Sequence, residues 1–486
     1  MIPLFVAIPL AVAFLLPLAG RGRPRVSDWL ANGAMLCLAI LALASIGEEG
    51  LYHMGAWPTP IGIDLRLDPL AALLLVVINM VGLVACLYSV EYMRRYTAKH
   101  RYYSLFLLLV AGMNGAILAG DLFNLYVLME VAAVASYGLV AFGGEHEDLE
   151  AAFKYAVLGS LSSAVILIGI GLVYGVTGTL NMAHIAHQVA QTDMSPPLLF
   201  ASALFLCGFG LKAALVPFHA WLPDAHPSAP APVSAMLSGV LIKAIGIYVL
   251  ARLIYNVFGV GEGALAMLRW LGVVSILVGN LLAAGQSDIK RLLAYSSIGQ
   301  VGYIVLGLGL GTPLGLVGAL YHLINHALIK SLLFLNAGTV EYVTGTRNLN
   351  QLGGLNRAMP VTGATSLVGS MSIVGIPPFN GFWSKLIIIL ACIQGGFHGF
   401  AAVAVVMSVI TLSYQLRMLR AFFGTRPAVS TPERGEPRLM SAAMILLTVG
   451  CVALSFLIVG GLSSPLFVGP AEKTLFGGMF VFWPEM

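Results

Sequence analysis

Residues 211–226 read LKAALVPFHAWLPDAH. An apolar run holds Lys212, then meets Pro217, His219, Trp221, Pro223, Asp224 and His226. A proline removes a backbone donor and disrupts a helix. A lysine at the centre of a bilayer costs roughly 2.5–3.5 kcal/mol to insert. The pairing raises two questions: what surrounds this stretch, and why are both residues tolerated there?

Composition answers the first. Of the 486 residues, 59% are hydrophobic and 9% are charged, against about 25% charged in a soluble domain. So few charges cannot cover a water-facing surface, and the chain reads as an all-α polytopic membrane protein. A spanning helix needs about 20 mostly apolar residues. That rule gives about fourteen runs, at 2–19, 29–46, 68–90, 103–119, 122–142, 153–177, 198–216, 233–255, 266–286, 295–311, 313–341, 361–395, 399–421 and 440–461. A membrane barrel would instead show short alternating segments. The first run has no basic leader before it, so it reads as a retained span and not a signal peptide.

Loop charges test this division. Loops after odd-numbered runs hold Arg21, Arg23 and Arg25; Arg94, Arg95, Lys99 and Arg101; Lys290 and Arg291; Arg347 and Arg357; Arg426, Arg434 and Arg438. Loops after even-numbered runs hold Glu48, Glu49, Asp64, Asp121, Asp193 and Glu262, with Arg66 and Arg269 as exceptions. The acidic GGEHEDLE at 143–150 breaks the contrast, but acidic residues weigh little in the positive-inside rule. The alternation places both termini on the non-cytoplasmic side of the cell membrane. His184, His187 and His398 fall in loops, and the tail from 470 to 486 reads as a surface segment.

The five cysteines lie in apolar runs and form no C-x-x-C pair, so no disulfide, zinc or iron–sulfur framework is legible. The net charge of +4, with no basic patch, argues against nucleic acid as a partner. No cofactor and no metal is expected. Any redox chemistry would belong to a companion protein, so the chain itself is not decided to be an enzyme.

The charges left inside the runs carry the functional signal. Lys212, Lys243, Lys330 and Lys385 lie within them, while arginines keep to loops and span ends. Arginine cannot release a proton in a protein, whereas lysine in a low-dielectric site can. Glu130 is the one carboxylate deep in a run, within GDLFNLYVLMEVAAVASYGLV, and is the natural partner for one of these lysines. His322, His326 and Lys330 stand at successive intervals of four in LYHLINHALIKSLLFLNAG, which puts them on one helix face. Histidine titrates near neutral pH, so that stripe suits a hydrated proton relay. Plainer readings stand beside these: a lysine snorkelling to the interface, a structural ion pair at Glu130, a packing histidine, or a zinc pair at i, i+4 with no further ligand in view. His219 and His226, in the broken stretch, are further candidates.

The second question now has an answer. Loosened backbone is tolerated at membrane depth only against protein or a water-filled cavity. Pro217 then marks such a cavity, and the cavity lets Lys212 carry and exchange a charge. VGIPPFNGFWSKL would be a second copy, with Pro377 and Pro378 at its break and Lys385 after it. Pro217-Phe218-His219-Ala220-Trp221 echoes Pro378-Phe379-Asn380-Gly381-Phe382-Trp383. The copies lie five runs apart, and an odd offset implies inverted repeats, a transporter signature.

Four strings together resemble the proton-conducting antiporter family: GDLFNLYVLMEVAAVASYGL, LKAALVPFHAWLPDAHPSAPAPVSAMLSG, SDIKRLLAYSSIGQVGY and HLINHALIKSLLFLNAG. That family includes components of Mrp-type cation/proton antiporters and the antiporter-like membrane subunits of respiratory complex I and of membrane-bound hydrogenases. The resemblance implies two inverted five-helix repeats with broken helices 7 and 12. It divides the chain into an N-terminal three-helix segment at 1–100, repeats at 101–256 and 257–422, and a last helix with a short tail at 423–486. It implies proton transfer through Glu130, Lys212, Lys243, His322, His326, Lys330 and Lys385. Lys385 stands where some complex I subunits carry glutamate, and VTGTLNMAHIA at 176–186 looks most like the D-type component of Mrp antiporters. The implied partners are other membrane subunits, protons, Na+ and lipid, with a complex I or hydrogenase component as the alternative.

Overall fold

The computed structural model describes residues 1–59, 61–191, 194–424, 435–460 and 469–476. In chain order the helices are α1 (Leu4–Ala19), α2 (Pro24–Ala44), α3 (Pro69–Tyr92), α4 (Lys99–Leu118), α5 (Leu122–Val140), α6 (His146–Thr177), α7 (Met182–Gln191), α8 (Pro196–Lys212), α9 (Leu222–Ser228) and α10 (Ala231–Met236). The helix of α10 continues through π-helical turns at Leu237–Tyr248, one α turn, α11 (Val249–Arg252), and a second π stretch at Leu253–Val257. Then follow α12 (Glu262–Ala284), α13 (Ile289–Gly309), α14 (Pro313–Thr344), α15 (Pro360–Val374), α16 (Asn380–Gln394), α17 (His398–Phe423), α18 (Arg438–Phe456) and α19 (Gly469–Phe476). Eleven helices among the described residues are long and apolar enough to cross a membrane. Shorter apolar helices occur at Leu4–Ala19, Pro196–Lys212, Pro360–Val374 and Asn380–Gln394.

The helices start where short polar side chains can take up free backbone donors. Asp68 accepts from Ala71 N at 2.9 Å, Asp121 from Phe123 N at 2.8 Å, and Asp288 from Arg291 N at 2.9 Å. The long helices α6 and α14 end in the same device. Gly178 and Gly345 adopt left-handed φ of 66° and 73°, a conformation that glycine enters without penalty. Thr177 and Thr344 turn their hydroxyls back to Val173 O and Val340 O, at 2.8 and 2.7 Å. Asp121 bridges Asn181, and Asp288 bridges Asn348, through the backbone. The matching strings, VTGTLN at 176–181 and VTGTRN at 343–348, form a second internal echo, which the folded turns make plain.

The centre of the molecule is α10–α11 with its π turns, α13 and α14, buried almost throughout. Outer helices such as α2, α6, α17 and α18 bury one stripe and expose the rest. Glycines let α12 and α13 approach closely. A Cβ on Gly279 would lie 2.4 Å from Gly299 N, and one on Gly302 would lie 2.6 Å from Gly272 O. Small residues at such crossings replace a hydrophobic drive that lipid cannot supply.

The run at 361–395 is divided by residues 375–379 into α15 and α16, at the break expected around Pro377 and Pro378. Several other expectations need correction. The loop between the second and third runs contains a hairpin, β1 (Gly50–His53) against antiparallel β2 (Asp64–Leu67). Its connection is long enough to let the chain double back and pair its own backbone groups. His184 and His187 lie on the short helix α7, and His398 opens α17, so none is in a loop. Lys99 and Lys290, expected in solvated loops, are both buried, because each meets a carboxylate. Lys99 pairs with Asp28 at 2.8 Å and Lys290 with Glu341 at 2.9 Å. The first part of the tail is no surface segment. Its helix α19 packs against α3 and α14, with Leu475 buried. Asp193, Arg426, Arg434 and positions 477–486 lie outside the described residues.

Candidate functional site

The break at 213–221 begins one residue after Lys212, the last residue of α8. The bond between Val216 and Pro217 is cis, as is that between Pro377 and Pro378. The loosened backbone at the first break finds partners. Val216 N donates to Ser275 Oγ at 3.0 Å, and Trp221 Nε1 donates to Leu211 O at 2.9 Å. Trp221 also stacks on Tyr155 at 4.3 Å between ring centres. The break is therefore a fixed shape and not a loose end.

Lys212 is buried among α5, α6 and α8, and its ammonium has three acceptors. It donates to Ser163 Oγ at 3.0 Å and to Gly159 O at 3.4 Å, and stands 3.4 Å from Glu130 Oε1. Ser163 donates in turn to the same Glu130 oxygen. The Glu130 side chain keeps 27% of its surface exposed, against 8% for Lys212. A small cavity beside Lys212 is lined by Gly159, Trp221, Leu241 and Ile245. Leu241 and Ile245 flank Lys243 on the next helix, so the cavity faces the element that carries the second lysine.

Lys243 lies inside the π-helical turns and is 1% exposed. Its ammonium donates to Ser238 O on its own helix. π turns occur often at functional sites. Lys330 on α14 is wholly buried and donates to Leu293 O at 3.0 Å. His326, one turn before Lys330, is buried with neither ring nitrogen hydrogen-bonded among the described residues. His322 is held on both sides: Nε2 donates to Gln300 Oε1 at 3.2 Å, and Nδ1 meets Ser384 Oγ at 2.9 Å. The rings of His322 and His326 are 6.2 Å apart.

Lys385 follows Ser384 on α16. It reaches back across the second break to Ile373 O and Val374 O, at 2.8 and 3.1 Å, and lies 4.9 Å from the centre of the Tyr303 ring. Those carbonyls end α15, where an α-helix leaves acceptors free and its dipole is negative. The sequence places the lysine before one break and after the other, yet both ammonium groups end up at a break.

His219 is half-buried beside the first break, and its Nδ1 has no partner among the described residues. His226 on α9 is wholly buried, with both nitrogens unpartnered among those residues and its ring 5.0 Å from Phe334. The seven expected transfer residues thus fall into three groups: Glu130 with Lys212, Lys243 on its π turns, and α14 with Lys385. Among the described residues, no hydrogen bond or ion pair joins the first group to the second.

Ser163, Gln300 and Ser384 give no signal in the sequence alone. A serine in an apolar run usually bonds its own helix, so only contacts across helices identify them. Glu341 is equally silent. It sits at the end of α14, pairs with Lys290, and has Arg347 at 3.7 Å.

Comparison with known proteins gives the family. Residues 119–411 match the family described as "NADH:quinone oxidoreductase/Mrp antiporter, TM", and residues 56–103 match "NADH-Ubiquinone oxidoreductase (complex I), chain 5 N-terminus". The chain is 38% identical over 479 residues to the N subunit of NADH-quinone oxidoreductase of Desulforudis audaxviator, covering 93% of this chain and 94% of that one. It is 33% identical over 468 residues to the D subunit of the Na(+)/H(+) antiporter of Alkalihalophilus pseudofirmus, covering 95% and 94%. A chain in the Mrp complex of Dietzia sp. DQ12-45-1b superposes with a TM-score of 0.90 at 31% identity, covering 98% and 97%. The chain belongs to the NADH:quinone oxidoreductase/Mrp antiporter family of multi-pass, antiporter-like membrane subunits.

Proposed function

We propose that this chain is a proton-translocating component of a multi-subunit membrane complex, of the D type found in Mrp Na+/H+ antiporters. Protons pass along Glu130, Lys212, Lys243, His326 and Lys385 near the bilayer midplane, with His322 and Lys330 as branches of the relay. The observation that carries the reading is the pairing of buried Lys212 with partly exposed Glu130 at a helix break. A paired ammonium and carboxylate favour each other's charged forms. Separating them destabilises the lysine's charge, so a change at one end of the chain moves a proton at the other. Na+ and the companion subunits belong to this reading, as they do to the relatives named for antiport.

The reading includes fourteen spans, with repeats at 101–256 and 257–422 inverted in the membrane, an N-terminal segment at 1–100, and a last helix with its tail at 423–486. The matching turns after α6 and α14 support the repeat, because Asn348 follows Asn181 by the same interval as Asp288 follows Asp121. The basic loops support termini on the non-cytoplasmic side.

A second reading is favoured by the relative named for quinone reduction. There the same chain of groups moves protons outward, driven by electron transfer in companion subunits.

Lys212→Ala and Glu130→Gln in the native complex test the mechanism. Both should abolish Na+-driven proton movement in membrane vesicles while the chain still co-purifies with its companions. Wild-type rates in both variants would end it. The companions themselves decide between the two readings: iron–sulfur proteins favour the second, small membrane subunits the first.

A further inference from the structure

Lys212 and Glu130 touch each other less closely than each touches Ser163. The direct separation is 3.4 Å, beyond the usual range for a charge-assisted hydrogen bond of about 2.7–2.9 Å. Lys212 Nζ lies 3.0 Å from Ser163 Oγ, and Ser163 Oγ donates to Glu130 Oε1. The same hydroxyl can instead donate to Gly159 O at 2.9 Å. A serine hydroxyl carries one hydrogen and two acceptor sites, so it serves Glu130 or Gly159, never both at once. It is a rotor with two built-in positions, and it always keeps a lone pair for Lys212.

Its place on α6 is matched in the second half of the chain. Ser163 precedes the turn at Thr177 by the same number of residues as Lys330 precedes the matching turn at Thr344. Both helices carry a polar group at that interval before the turn.

We propose that Ser163 is the proton carrier between Lys212 and Glu130. This rests on the transport reading above and adds a residue to it. In the transfer, one N–H bond of the Lys212 ammonium breaks as its proton binds Ser163 Oγ. The original Oγ–H bond breaks as that proton binds Glu130 Oε1. The products are a neutral amine, an intact serine and a neutral carboxylic acid, so charge and atoms balance. The new hydroxyl points at Lys212, and the Glu130 acid donates to Ser163. The rotor then turns to Gly159 O, which frees the amine to accept its next proton from the cavity side. Glu130, partly exposed, releases its proton sideways.

The test uses the native complex in inverted membrane vesicles, with acridine orange reporting the pH gradient and a NaCl pulse as the trigger. Ser163→Ala should slow the response by about 100-fold, the usual range for a lost proton-transfer group, with the amount of complex unchanged. Ser163→Thr keeps the hydroxyl and should restore most of the rate. In D2O the wild-type rate should fall by a larger factor than the residual Ser163→Ala rate, because two protons move in the wild-type step and one in the variant. If Ser163→Ala does not accumulate, Ser163→Cys, similar in size but a weak donor, decides by the same comparison with threonine. A Ser163→Ala rate equal to wild type, with Lys212→Ala inactive, overturns the carrier alone. Wild-type rates in both Ser163→Ala and Lys212→Ala overturn the carrier and the transport reading together.

Discussion

The ammonium of Lys385 donates to the carbonyl of Ile373 at 2.8 Å, joining α16 to the end of α15 across the second break. The lysine does two things there. It supplies donors to carbonyls that the broken helix leaves free, and in the proposed relay it is the group that releases a proton beside His322, which bonds the adjacent Ser384.

Those two roles separate in Lys385→Arg. Guanidinium keeps the charge and the donors but cannot release a proton. The variant should assemble normally and lose transport. Co-purification and the vesicle assay check this, and an active variant would show that charge alone suffices.

Asp68 and Arg252 form a buried ion pair between α3 and α11. Removing one partner of such a pair costs about 3–5 kcal/mol, because the other charge stays buried. Asp68→Asn keeps the helix cap but strands Arg252. Its melting temperature in detergent should fall well below wild type. Adding Arg252→Met should recover much of the loss.

Crowding predicts a contrast between two glycines. A Cβ at Gly279 meets the Gly299 backbone at 2.4 Å, while one at Gly171 meets nothing within 4 Å. Gly279→Ala should sharply lower the yield of folded protein, as α12 and α13 are pushed apart. Gly171→Ala should leave it unchanged or slightly higher, since alanine is the better helix former by about 1 kcal/mol. Membrane yield and thermal melting read both.

His226 is buried without a hydrogen-bond partner among the described residues, against Phe334. Replacing a buried, unpaired polar ring with an apolar one of similar shape is close to neutral for stability. His226→Phe should melt like wild type. If the histidine belongs to the relay, the same variant loses transport, so paired melting and vesicle measurements separate packing from function.

Sequence by itself determined that the chain lives in lipid, because so few charges cannot solvate a surface. It also determined where most of the helices run and which charges are anomalous, since Lys212, Lys243, Lys330 and Lys385 interrupt apolar runs. Glu130 could be named as a partner from its depth alone. What tertiary structure decided is which groups meet. Only packing sets Ser163 between Lys212 and Glu130, turns Lys385 back onto α15, and hides Lys290 against Glu341. These contacts join residues far apart in sequence, and hydrophobic periodicity reports only which way a side chain faces, never what it finds there.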